Sequence, residues 1–179
     1  MVSRKYLGDY RLENRVDPKS GKLKTVPVYR GAWFAFTADA AAVRRAKQIY
    51  PALSVLCAAL FLAELLLNAP CGHAVYVTLP FAAMVFPIFF CLAGSRRLLT
   101  AGDKVTREHA DKIQRRFASS SFMMVLFSAI SSAGHLLYFC RAGLRAPDAI
   151  SFLMALGILL SAVAMFRGKD ALQMNPIGT

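Results

Sequence analysis

The sequence predicts an all-α membrane protein: a bundle of four transmembrane helices arranged as two helical hairpins, with a short N-terminal cytoplasmic β-hairpin ahead of it. Three observations carry this. Apolar residues make up 56% of the 179-residue chain and are concentrated in four long runs. The basic residues fall almost entirely on one side of a four-span arrangement, and the N-terminal arm alternates in the two-residue period of strands.

The runs cover residues 49–67, 74–93, 122–139 and 149–166. Each approaches the ~20 residues that cross a hydrocarbon core of ~30 Å. Only the first contains a formal charge, Glu64. Four such helices in a water-soluble domain would leave too little amphipathic chain to cover them.

The formal charge of +12 raises the question of nucleic acid, but the placement of the cations answers it. Twenty of the twenty-two Lys and Arg lie before the first run, between the second and third, or after the fourth. The other two, Arg141 and Arg145, lie between the third and fourth runs. That asymmetry is the positive-inside pattern, so both termini are expected in the cytoplasm of a bacterial cytoplasmic membrane. The partners it implies are anionic headgroups of the bilayer and not nucleic acid. No cleavable leader is expected, because the first apolar run comes only after 48 residues that hold no apolar run of their own, and neither end carries a lipidation motif.

Three segments follow in order: a basic arm over 1–36, a transmembrane domain over 37–166 and a cytoplasmic tail over 167–179. In the arm, residues 10–16 and 23–29 alternate imperfectly and read as strands. Asp17 and Pro18 suit the first two turn positions between them, and Gly21 can take a positive φ. Such a hairpin is marginal alone and needs a surface to lie on. Trp33, set between Phe34 and the Ala32 side of the arm with Phe36 beyond, suits the headgroup region. Thr37 or Asp39 can cap a helix, and Pro51 fits a bend into the first span.

In the second span Pro80 and Pro87 stand seven residues apart, nearly on one helix face, and free the carbonyls of Tyr76 and Ala83. These are predicted helix kinks, turned towards the bundle because freed carbonyls need partners in a membrane. A basic connection leads to an amphipathic helix over 106–117, with Glu108/Lys112 and Asp111/Arg115 spaced as i,i+4 pairs. It is expected to run unbroken into the third span. There Ser128 and Ser132 form a small-xxx-small pair, which makes this helix the central packing element, within the chain or across a homodimer.

Glu64 and His135 are the residues most capable of chemistry. Rise arithmetic puts both at similar depth, towards the outer leaflet. Aligning Ala63-Glu64-Leu65-Leu66 with Gly134-His135-Leu136-Leu137 puts them in register, as duplication of a two-helix unit would. An ionisable residue inside a span is a candidate functional site, so the two can form an interhelical pair or couple a proton or cation. The four cysteines contain no Cys-x-x-Cys. Cys71 and Cys140 both fall on the outer side and are candidates for a disulfide, whereas Cys57 and Cys91 lie inside spans.

No metal site, cofactor or catalytic residue is predicted: phosphate loop, nucleophile elbow and His-Glu-x-x-His are all missing from the sequence. The functional expectation is a non-enzymatic accessory, anchoring or regulatory subunit with a protein partner in the membrane. The alternative is a small dimeric transporter or channel coupled to protons or cations through Glu64 and His135.

Overall fold

The structure is a computed structural model that describes residues 4–16, 18 and 21–177. The chain is mostly helical. Four helical segments, Ala40–Leu67, Val75–Thr100, Arg107–Ala142 and Ala146–Leu172, are long and apolar enough to cross a membrane. The end carrying Lys5 and Pro176 is called basal, and the opposite end distal.

Helix α1 (Ala40–Leu67) starts at Asp39, whose carboxylate accepts the Ala42 N–H at 2.6 Å. It satisfies one of the donors that a helix N-terminus leaves free. The expected bend at Pro51 is not a break, since α1 runs through it as one helix. After α1 the left-handed Asn68 and a 3-10 turn, Pro70–His73, reverse the chain at the distal end.

The second apolar segment is divided into α2 (Val75–Ala83) and α3 (Val85–Thr100) at Met84. Pro87 explains the break: without an N–H it leaves the Ala83 carbonyl unmatched, and the helix restarts two residues later. Pro80 lies inside α2 without breaking it. The carbonyl that Pro80 frees, Tyr76 O, faces α4 (Arg107–Ala142) at Gly134, where an added Cβ would lie only 2.9 Å from that oxygen. Glycine is required there by the approach of two backbones.

Helix α4 is continuous over 36 residues and packs against α2, α3 and α5 (Ala146–Arg167), while α1 packs against α3 and α5. Ser128 and Ser132 are buried within this single chain. Along the middle of the bundle Cys57, Met84, Met124 and Ile158 are wholly buried. Leu62, Leu66, Leu79, Phe86, Leu153 and Leu160 instead point outwards and are exposed. Small residues such as Ser54, Ser95 and Ser121 occupy the inside. This reverses the arrangement of a water-soluble bundle and leaves an apolar belt that water does not favour.

The basal end carries structure that the apolar pattern does not announce. Strands β1 (Tyr10–Val16) and β2 (Leu23–Tyr29) form the N-terminal hairpin, in register from Tyr10↔Tyr29 to Val16↔Leu23. Gly21 has φ +66°, and Asp17 lies outside the described residues. A second antiparallel sheet follows, with β3 (Trp33–Phe36) between β4 (Val105–Thr106) and β5 (Met174–Pro176). The Trp33 segment is thus the central strand of a sheet, and the 167–179 tail supplies a 3-10 turn, Gly168–Leu172, and an edge strand.

The 3-10 turn Arg4–Asp9 docks Lys5 and Tyr6 on α4, each donating to Asp111 Oδ2 at 2.9 Å. Asp111 therefore takes partners from 105 and 106 residues away, where the i,i+4 spacing pointed to Arg115. Glu108 does pair with Lys112.

Candidate functional site

Three helices bring polar side chains to one depth near the distal end. Glu64 sits one turn before the end of α1, His135 two turns before the end of α4, and Ser151 in the second turn of α5. Their depth follows from helix lengths alone, but their meeting requires the α1–α5 and α4–α5 contacts. Glu64 is 8% exposed and His135 not at all.

The geometry is a chain and not a direct pair. Ser151 Oγ lies 2.9 Å from Glu64 Oε1 and 3.0 Å from His135 Nε2, whereas Nε2 and Oε1 are 3.7 Å apart. At that separation the serine hydroxyl is the bridge. The other ring nitrogen, Nδ1, lies 2.8 Å from the Ser131 carbonyl oxygen one turn back on α4. A carbonyl can only accept, so the hydrogen-bond pattern assigns a proton to Nδ1. Phe139 and Phe152 enclose the ring at centroid distances of 6.4 and 6.0 Å.

A second buried carboxylate adjoins this chain. Asp148, in the first turn of α5, has no exposed surface, and its Oδ1 accepts the Cys71 N–H at 2.8 Å. The positive end of α5 favours a carboxylate at this place. Asp148 is close enough to act electrostatically on both His135 and Cys71. Glu64 Oε2, Asp148 Oδ2 and the Ser131 and Ser132 hydroxyls are buried without a hydrogen-bond partner. A cavity of about 130 Å³, lined by Glu64 and Ser151 together with Asn68, Gly72, His73 and Thr78, lies beneath the distal turn. That volume has room for a few water molecules.

Cys71 and Cys140 are both free thiols, which corrects the disulfide expected from their shared side. Cys71 is wholly buried beside Asp148, whereas Cys140 is exposed on the last turn of α4. Burial pushes the Cys71 thiol up to about 11, and neighbouring Asp148 adds to the shift. Among the described residues no group of three His, Cys, Asp or Glu is placed to hold a metal.

Sequence reasoning singled out Glu64 and His135 but missed Ser151 and Asp148. Their only signal is spacing: three residues apart in the opening turns of a helix that starts with Ala146-Pro147, they share one face. A serine inside an apolar run is unremarkable until its neighbours are known. Comparison with protein families, with curated proteins and with solved structures finds no match for this chain.

Proposed function

We propose that the protein spans a bacterial cytoplasmic membrane four times, with both termini in the cytoplasm, and serves as a non-enzymatic accessory subunit that anchors or regulates a larger membrane assembly. The observation that carries this reading is the free face of the basal hairpin. The β1–β2 register puts Leu12, Val16 and Leu23 on one face, and they are 72, 61 and 75% exposed. The base of the hairpin is anchored: Tyr10, Tyr29 and Trp33 meet edge to face at 5.2 Å, and Asp9 O accepts the Arg30 and Gly31 N–H groups. Its tip is a short two-stranded ribbon, marginal by itself, presenting aliphatic side chains on this face, whereas Arg11 and Lys24 take the alternate positions on the other. An apolar partner surface matches this face.

The test is extraction of tagged protein from its native membrane in mild detergent, comparing wild type with Leu12→Ser/Leu23→Ser. This reading requires a stoichiometric partner that accompanies the wild type and is lost from the variant at equal expression. A monodisperse protein that comes alone, or a partner retained by the variant, would overturn it. Topology is tested separately with Cys140, which an impermeant maleimide should label from outside intact cells.

A second reading, proton- or cation-coupled transport, is favoured by the Glu64–Ser151–His135 chain. It requires a helix movement that opens the bundle where Cys57, Met84, Met124 and Ile158 fill it. Proton-driven uptake into reconstituted vesicles that survives Glu64→Gln and His135→Ala would remove these residues from any such mechanism.

A further inference from the structure

Counting hydrogens in the Glu64–Ser151–His135 chain gives more than its geometry alone. The Ser151 hydroxyl has one proton and two neighbours, Glu64 Oε1 at 2.9 Å and His135 Nε2 at 3.0 Å. Nδ1 already spends its proton on the Ser131 carbonyl. If Glu64 were ionised and His135 neutral, both neighbours would be acceptors, and one hydroxyl proton could serve only one of them. The other contact would set two lone pairs against each other at about 3 Å in a site without bulk water, which is costly. One additional proton repairs the chain.

We propose that Glu64, Ser151 and His135 form a proton-binding site that holds one proton shared between α1 and α4 through the hydroxyl on α5, and exchanges it with the distal side through the cavity beneath residues 68–73. Two arrangements share this proton. In one, Glu64 is a carboxylate accepting from Ser151 Oγ–H, and His135 is an imidazolium whose Nε2–H donates to Ser151 Oγ. In the other, Glu64 carries the proton on Oε1 and donates to Ser151 Oγ, while the serine donates to neutral Nε2. Passing from the first to the second moves the Nε2 proton to Ser151 Oγ as the hydroxyl's own proton moves to Glu64. Every atom is accounted for, and Nδ1–H stays on Ser131 throughout.

The charges around the site favour retention of the proton. Glu64 faces it from α1, His135 from α4 and Asp148 from α5, with the Cys71 thiol on the distal turn and His73 lining the cavity. Helix α2 contributes Thr78, whose hydroxyl lies within hydrogen-bond reach of the Gly72 and Ala74 carbonyls. With the proton bound, the chain itself is neutral and, among the described residues, Asp148 is the carboxylate beside it. Without it, two buried carboxylates face a neutral imidazole. The site is therefore also a tie: loss of the proton removes a bond between α5 and either α1 or α4. It rests on the transport reading for nothing, and on the membrane-spanning reading only for the side from which protons arrive.

The test is a pH titration of full-length protein in micelles by NMR, with labelled histidine ring nitrogens and glutamate carboxyl carbons. The signals missing from His135→Gln and Glu64→Gln assign the two groups. Expected is a protonated Nδ1 at every pH, with Nε2 and the Glu64 carboxyl changing together in one step that does not depend on sodium concentration. In Ser151→Ala the two changes should separate. An unprotonated Nδ1, responses at different pH in the wild type, or a sodium-dependent shift would overturn the proposal. In proteoliposomes of known orientation, a pH step on the distal face alone should move the His135 signal; a response to the basal face alone would overturn the assigned route. Loss of uptake activity, or its absence, leaves these signals unaffected, so failure of transport and failure of the proton site are distinguishable.

Discussion

The two ends of the bundle are held together by different chemistry. At the distal end α1, α4 and α5 meet through a few buried polar groups, two of them carboxylates with an oxygen left unpartnered. At the basal end the terminal segments and the long connection are joined by short strand pairs, edge-to-face aromatic contacts and exposed ion pairs such as Lys5–Asp111 and Arg30–Glu13. The basal contacts are many and separately replaceable, and exposed ion pairs contribute little individually. The distal contacts are few and interdependent, and a half-satisfied buried network costs more than an apolar one. A single substitution should therefore be felt far more at the distal end.

The largest effect is expected at Gly134, which abuts the Tyr76 carbonyl. Gly134→Leu should force α2 from α4 and cost about 3 kcal/mol in thermal unfolding in micelles. An unchanged midpoint would show that α2 is free to withdraw, and the distal end would lose its claim to tight packing. Next comes Ser151→Ala, which strands Glu64 Oε1 and His135 Nε2 together and should cost about 1–3 kcal/mol. Combining it with Glu64→Leu and His135→Leu should recover most of that loss, because an apolar replacement leaves nothing unpaired. A triple variant less stable than Ser151→Ala would contradict the interdependence argued for this end.

Effects at the basal end should be smaller and local. Burial works against the Asp111 carboxylate, but Lys5 and Tyr6 outweigh it and hold its carboxyl below the usual carboxylate range. A carboxyl lowered by folding contributes stability above its unfolded value, near 4, and loses it as pH falls through the folded value. Acidification below about pH 4, or Asp111→Asn at neutral pH, should expose the Lys5–Arg11 segment to proteolysis while the bundle's unfolding midpoint hardly moves. A drop as large as that of Ser151→Ala would erase the contrast between the ends. The smallest effect is chemical: at neutral pH Cys140 should alkylate in the native protein and Cys71 only after unfolding. Equal reactivity, or a mobility change on reduction, would contradict the free, buried Cys71.

Four apolar helices, the amphipathic start of α4 and the β1–β2 hairpin are all legible in the sequence, because each is written in a local period or run length. The sheet of β3, β4 and β5 is not. Its strands are four, two and three residues long and come from positions near 35, 105 and 175, so no local period announces them. The site is half legible for the same reason. A carboxylate and an imidazole inside apolar runs stand out by their cost, whereas Ser151 acquires a role only from side chains on two other helices. Cys71 shows the converse error: two cysteines on one side of a topology diagram carry no information about depth, and Cys71 is buried while Cys140 is not.

The most direct test of the distal tie is a double-mutant cycle between Glu64 and His135, using Glu64→Ala, His135→Ala and the double variant, read by reversible unfolding in micelles. Coupling through Ser151 predicts that the double variant is more stable than the sum of single losses allows, by about 1 kcal/mol or more. Losses that add to within about 0.5 kcal/mol would mean that the two residues act independently, and that no shared bond joins α1 to α4 through α5.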